Sequence, residues 1–368
     1  MADETDVLLE ATTSLVPPLL MALDGLAFAG RHLHPPQMAE VVAAIADLQA
    51  PLTAGLETFA AAPWPENLLG FAGQIQQSAT EAMQAFDGLT ACLTQSNPAM
   101  DAYRAMGFAT RAIETLYPVA FMLPPVNRYF ISAPWREDAE TLARLASEDP
   151  GREDVGIVHA SNDKTQRGGF SVYVPEYYTA DQSWPLVVAL HGGSGHGRSF
   201  LWSWLRDART RGVILVSATS TGDTWSLMGP DHDAANLAGI VDFVTEQWSI
   251  DREKILLTGM SDGGTYSYVS GLPEDSPFTH LAPISASFHP MLLEGTTTER
   301  LQDLPVYLTH GALDWMFPVD VARTARDSLS AAGAAVEYRE LADLSHTYPR
   351  EENDRILSWL FGERLTDG

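Results

Sequence analysis

The stretch "LLTGMSDGGTYSY", residues 256–268, decides the fold. Its first half is a short apolar run that ends in Gly259, as expected of a strand buried on both faces. Its second half, "GTYSYVSGL", reads as the start of a helix. Between them Ser261 is flanked by Gly259 and Gly263, giving a G-x-S-x-G pattern on a strand-to-helix turn. Small flanking residues allow a sharp turn that lifts a serine hydroxyl into the open. The chain has 28 glycines, so the pattern also arises by chance. Its meaning depends on what the neighbouring segments supply.

From about Asp154 onward, strand and helix patterns alternate. "GGFSVYVPEYY" alternates like an exposed strand, whereas "WPLVVALHGG", "GVILVSAT", "HLAPISAS" and "LPVYLTHG" are short apolar runs. "DAANLAGIVDFVTEQW", "PVDVARTARDSLSAAG" and "REENDRILSWLFG" have helical periodicity, and "AVEYREL" reads as a strand. This alternation predicts a mostly parallel sheet with helices on both faces.

Residues 1–150 follow a different rule. Apolar residues recur at three and four spacing, as at Val41, Ile45, Leu48, Leu52 and Leu56, and "APWPEN" and "QSNPAMD" separate the segments. An all-α domain of about five helices is expected there, followed by a short charged helix at "REDAETLARLASE". The expected division is a helical domain over 1–150 and an α/β domain over 151–368. The first would serve as a cap, a docking surface or a homo-oligomer interface.

Composition narrows the partners. A net charge of −26 repels phosphate backbones and anionic membranes, so no nucleic-acid partner is expected. The lone Cys92 cannot form a disulfide within the chain, and its apolar helical setting marks it as a buried small hydrophobe. The acidic start "MADETDVLLE" lacks the basic residues of a signal peptide. The run "SLVPPLLMALDGLAFAG" is short and interrupted by prolines and Asp24. No membrane span and a cytoplasmic location are therefore expected.

In a parallel sheet, ligands bind beyond the carboxyl ends of the strands. Ser261 follows one predicted strand, the "HGGSG" loop at 191–195 another, Asp314 a third and His346 a fourth. A serine hydroxyl needs a base to become a nucleophile, an imidazole provides one near neutral pH, and a carboxylate holds the imidazole in the useful tautomer. The rivals to His346 are His289 and His310; the rivals to Asp314 are Asp320 and Asp343. His191 is read as a brace for its loop. His196, Trp225, His289, Trp315, Phe317 and Tyr348 lie near predicted loop tips and are candidates for a substrate pocket. "DHD" at 231–233 is read as acids at a helix start rather than a metal site. "HGGSGHG" matches neither nucleotide-binding glycine pattern.

The chain order Ser261, Asp314, His346, with "LHGGSG", "GMSDGG", "THGALDWMFPV" and "LSHTYP", resembles the α/β-hydrolase superfamily over about 168–362. Within it these motifs are similar to the phospholipase/carboxylesterase branch, which shades into feruloyl esterases and polyhydroxybutyrate depolymerases. The resemblance implies Ser261 as nucleophile, His346 as base and Asp314 as triad acid. It implies the backbone N–H groups of Asp262 and of Gly193, or its neighbour Ser194, as oxyanion donors. The expected activity is hydrolysis of small to medium carboxylic esters without metal or organic cofactor. Acyl transfer or thioester cleavage with the same residues, and a non-catalytic interaction protein, are the alternatives.

Overall fold

The computed structural model describes residues 4–363. The chain forms two compact units, Met1–Ile131 and Ser132–Gly368.

The first unit consists of α1 (Glu4–His32), α2 (Met38–Ile45), α3 (Gln49–Ala60), α4 (Leu69–Cys92), α5 (Pro98–Leu116) and α6 (Pro124–Tyr129), with short 3-10 turns between them. α4 buries Ala72, Ala79, Ala82 and Ala85, and α5 buries Ala102, Ala105, Ala109 and Ala112. Side chains this small let the two helices pack closely. The Ser78 hydroxyl on α4 donates to the Ala112 carbonyl on α5 at 2.8 Å. Cys92 is buried, as its apolar setting indicated.

The expectation that prolines break the first apolar run is corrected. α1 continues through Pro17 and Pro18. A proline ring already holds a helical φ, so each residue removes one N–H donor without ending the helix. Packing supplies the stability, because Leu15, Val16, Leu19 and Leu23 are at most 3% exposed. By length and composition alone, Thr5–His32 and Pro35–Ala60 are long and apolar enough to cross a membrane. The buried core helix of a globular unit satisfies the same measure.

The second unit opens with α7 (Ala139–Leu145) and then builds one eight-stranded sheet from β1 (Gly156–Ala160), β2 (Phe170–Val174), β3 (Trp184–Leu190), β4 (Ile214–Ala218), β5 (Ile250–Met260), β6 (His280–Ile284), β7 (Pro305–Gly311) and β8 (Ala335–Leu341). The order is β1-β2-β4-β3-β5-β6-β7-β8. β1 with β2 and β2 with β4 are antiparallel, and the remaining pairs are parallel. The other helices are α8 (Gly197–Arg211), α9 (Ala234–Gln247), α10 (Asp262–Gly271), α11 (Thr298–Leu301), α12 (Val319–Ala331) and α13 (Glu352–Leu360). This is the mostly parallel, helix-flanked sheet that the alternating pattern predicts. Leu186 to Leu190 of β3, Ile214 to Leu215 of β4 and Leu256 to Leu257 of β5 are fully buried.

Three details differ from the sequence reading. β2 is not exposed: Val172, Tyr173 and Val174 are at most 1% accessible, with α8 packed against the strand and β1 taking the edge beside it. α8 had no local signal; its aromatic-rich "SFLWSW" is a weak helix former, and the helix is held by burial of Leu201, Trp204 and Leu205. The boundary falls between Ile131 and Ser132 rather than near 150. The Ser132 hydroxyl donates to Asp207, Trp135 Nε1 donates to Asp354, and Glu148 pairs with Arg209 at 2.5 Å with both side chains almost wholly buried. These partners are 61 to 219 residues apart in sequence, beyond the reach of any local pattern.

Candidate active site

β5 delivers Ser261 to the carboxyl edge of the sheet, and α10 begins at the next residue. Ser261 has φ 56° and ψ −120°, a conformation rare for a residue with a side chain. Its neighbours allow the turn only because they are glycines. A Cβ on Gly263 would lie 2.4 Å from the Leu190 carbonyl oxygen, and one on Gly259 would lie 2.5 Å from the Gly263 backbone. The Ser261 N–H donates to Ile284 O at 3.0 Å, and Ser261 O accepts from Thr265 N at 2.8 Å, which pins the turn on both sides. The side chain is only 8% exposed.

β7 ends at Gly311, and the loop beyond it carries Asp314. Asp314 Oδ1 accepts the N–H groups of Met316 and Phe317 at 2.9 and 2.8 Å. Its Oδ2 lies 2.8 Å from His346 Nδ1. His346, in the loop after β8, places Nε2 3.0 Å from Ser261 Oγ. A carboxylate only accepts, so Nδ1 donates to Asp314 and Nε2 is left to accept the Ser261 hydroxyl proton. Burial pushes the Asp314 carboxyl up, but the hydrogen bond and charge of His346 and the Phe317 amide outweigh it, holding the carboxyl below its ordinary value. The three residues named from sequence are thus within hydrogen-bonding distance, and all are less than 10% exposed.

The rivals have other partners, and one of them, His310, stands beside Asp314. Asp320 pairs with Arg323 at 2.9 Å on α12, and Asp343 is exposed. His289 is exposed and accepts the Met291 N–H at 3.2 Å. His310 is buried; its Nε2 donates to Phe317 O at 2.8 Å and stands 3.6 Å from Asp314 Oδ2.

The loop after β3 crosses the turn at Ser261. A Cβ on Gly192 would meet the Ser261 Cβ at 3.5 Å, and one on Gly193 would lie 2.7 Å from Asp262 Oδ2. The Asp262 carboxylate accepts the Thr224 hydroxyl at 2.6 Å, so its charge is turned toward that loop. The Ser194 N–H is taken by Asp223 O at 3.1 Å. Among the described residues, the Gly193 N–H has no such backbone acceptor. Of the two amides that the sequence left open, that of Gly193 is the free one.

His191 braces this loop. Its Nε2 accepts the Ser220 N–H at 3.1 Å, which leaves Nδ1 to donate to Gly192 O at 2.7 Å. Burial lowers its pKa to about 4, so the ring is neutral at pH 7. Trp225 is a brace rather than a pocket wall. It is 2% exposed, lies between the rings of His191 and Tyr266, and donates from Nε1 to His191 O at 2.7 Å. His196 is turned away as well: Nδ1 accepts the Arg198 N–H at the start of α8, and Nε2 donates to Gln166 O at 2.9 Å. Tyr348 donates its hydroxyl to Asn353 at 2.8 Å and packs edge-on against Phe200. Phe317 packs edge-on against His346 at 5.4 Å, and Trp315 beside Asp314 is 44% exposed. Of the candidate pocket residues, Phe317 packs its ring against His346 and donates its backbone N–H to Asp314.

The acids at 231–233 act as hydrogen-bond acceptors. Asp231 receives the N–H groups of Asp233 and Ala234 at the start of α9 and the Tyr266 hydroxyl. The buried Asp233 receives Thr221 N and both Ser226 groups. Among the described residues, no group of three His, Cys, Asp or Glu side chains is placed to hold a metal ion. Thr224 and the loop-fastening Arg167 were not singled out from sequence, because each acts through a contact that only folding brings together.

Residues 231–360, which include Ser261, Asp314 and His346, match the phospholipase/carboxylesterase family. A bifunctional acetylxylan esterase/xylanase of Neocallimastix patriciarum is 23% identical over 201 residues, covering 52% of this chain and 27% of that protein. A probable feruloyl esterase C of Aspergillus oryzae is 25% identical over 185 residues, covering 48% of this chain and 64% of that protein. The chain therefore spans about a quarter and somewhat under two thirds of the lengths of these relatives. Among solved structures, a thermostable esterase is similar at 21% identity, with a TM-score of 0.46 over 57% of this chain and 63% of the other. Within the sheet-bearing unit, the stretch that holds β6 to β8 and the side chains of Ser261, Asp314 and His346 is thus the part similar to the phospholipase/carboxylesterase family.

Proposed function

We propose that this protein hydrolyses small to medium carboxylic esters through an acyl-enzyme on Ser261. The observation that carries the reading is the hydrogen-bonded line from Asp314 through His346 to Ser261. His346 Nε2 takes the Ser261 proton as Oγ attacks the ester carbonyl. Asp314 holds the ring in the required tautomer and stabilises the imidazolium. The backbone N–H groups of Asp262 and Gly193 receive the oxyanion; losing one such donor costs roughly 3 kcal/mol of transition-state stabilisation. The imidazolium then protonates the departing alcohol. Water, deprotonated by the same nitrogen, attacks the acyl group and returns Ser261 to its starting state.

A serine-directed fluorophosphonate tests this reading. The folded wild-type chain should carry one adduct on Ser261, and Ser261→Ala none. A wild-type chain that takes up no label overturns it. A rate series over p-nitrophenyl esters of rising acyl length then measures the size limit.

A further inference from the structure

Arg167 lies in the connection between β1 and β2, outside the segments that carry Ser261, Asp314 and His346. Its Nε donates to Gly222 O at 2.8 Å, and its Nη1 to Gly195 O at 2.6 Å. Its Nη2 donates to the Ser220 hydroxyl and, at 3.3 Å, to Asp223 O. All these partners are neutral oxygens. Among the described residues, no carboxylate lies within ion-pair distance of this guanidinium. The carboxylates of Asp223 and Asp233 act on its charge without an ion-pair contact, and a planar cation spread over four neutral acceptors is arranged to hold backbone in place.

The four acceptors belong to two loops. Gly195 is in the loop after β3; Ser220, Gly222 and Asp223 are in the loop after β4. Neither loop has regular ladder bonds to fix it. The residues beside Arg167 grip the same loops: Gln166 O accepts from His196, and the Gly168 N–H donates to Ser220 O at 3.1 Å. Asp223 O is shared, since it also accepts the Ser194 N–H. The next residue, Thr224, holds the Asp262 carboxylate that faces Gly193.

We propose that Arg167 is the positioning residue that fixes the Gly193 amide over Ser261, through the carbonyls of Gly195 and Asp223. The proposal rests on the ester-hydrolase reading above. It requires the planar fork of arginine, because a lysine ammonium cannot span both loops with the same set of bonds. A donor misplaced by an ångström costs about a hundredfold in rate.

The test compares full-length wild type, Arg167→Ala and Arg167→Lys on p-nitrophenyl acetate, with a melting curve for each. For Arg167→Ala, kcat should fall roughly tenfold to a hundredfold with KM changed less than about threefold. Affinity for a trifluoromethyl ketone, which mimics the oxyanion, should fall in parallel. Added guanidinium should restore part of kcat. The midpoint of the pH–rate profile should not move, since His346 and Asp314 are untouched; a general loosening of the site would move it. Should the alanine variant not fold, Arg167→Lys decides, with at least a tenfold loss of kcat expected from the lost fork. A folded Arg167→Ala with wild-type kcat, or Arg167→Lys at wild-type kcat, overturns the proposal. A wild-type chain with neither ester turnover nor a Ser261 adduct shows instead that the hydrolase reading has failed, and the proposal falls with it.

Discussion

Asp314 and His346 are joined by a 2.8 Å hydrogen bond across 32 residues of sequence, and the carboxylate oxygen not used in that bond is filled by two backbone amides. The carboxylate therefore cannot rotate away without giving up three hydrogen bonds. This rigidity sets the tautomer of His346 and leaves its Nε2 facing Ser261.

Asp314→Asn should preserve the fold and abolish most of the activity. An amide group turned toward His346 would donate to Nδ1 and force the proton onto Nε2, where it opposes Ser261. The expected loss in kcat is on the order of 10⁴-fold. Steady-state kinetics with a melting curve measures it; a variant within tenfold of wild type would show that Asp314 does not orient the base.

The strained backbone at Ser261 predicts a separation of activity from stability. Ser261→Gly and Ser261→Ala should both be inactive. At φ 56° a glycine carries no Cβ penalty, whereas alanine keeps it. The glycine variant should be more stable than the alanine variant by about 1 kcal/mol, after the larger chain entropy of glycine is deducted. Urea denaturation of the pair decides the point, and equal stability would mean that the turn stores no strain.

Gly193→Ala should push the loop after β3 away from Ser261, because the new methyl group would sit 2.7 Å from Asp262 Oδ2. A loss of roughly 10² in kcat is expected from the misplaced N–H. Removing the obstructing carboxylate in Gly193→Ala/Asp262→Ala should recover part of that loss, since the backbone N–H of residue 262 is retained. No recovery would place the fault elsewhere than in this contact.

Acid should destabilise the protein through His191. In the unfolded chain the imidazole takes up its proton near pH 6.5. In the folded protein burial delays this to about pH 4. The stabilisation is complete above about pH 6.5 and is lost as the pH falls toward 4, by up to about 1.4 kcal/mol per pH unit. Asp314, held below its ordinary pKa, acts in the same sense at lower pH. Melting temperatures between neutral pH and pH 4.5 should fall, and His191→Gln should make the slope shallower. An unchanged slope in that variant would assign the acid sensitivity to other groups.

Much of the sheet-bearing unit was legible because its signals are local. Buried strands such as "VVAL" and "ILLT" are continuous apolar runs, and the glycines around Ser261 mark a turn that other residues cannot make. The chain order of Ser261, Asp314 and His346 follows directly from the order of the strands. The pocket candidates were less legible. A loop tip can be recognised in sequence, but the direction of its side chain cannot. Trp225, His196 and Tyr348 sit at such tips and turn inward to brace loops and helices.

The sequence by itself therefore determined the alternation of strand and helix, the serine turn, and the place of Ser261, Asp314 and His346 each after its own strand, since each depends on neighbours a few residues away. Only the tertiary structure decided the place of residues 132–150, the continuity of α1 through its prolines, the choice of Gly193 over Ser194 as the free amide, and the grip of Arg167 on two loops. Each of these depends on burial or on hydrogen bonds between distant segments. Such contacts leave no periodic trace in the chain, because either partner alone is an ordinary polar or apolar residue until folding brings the two together.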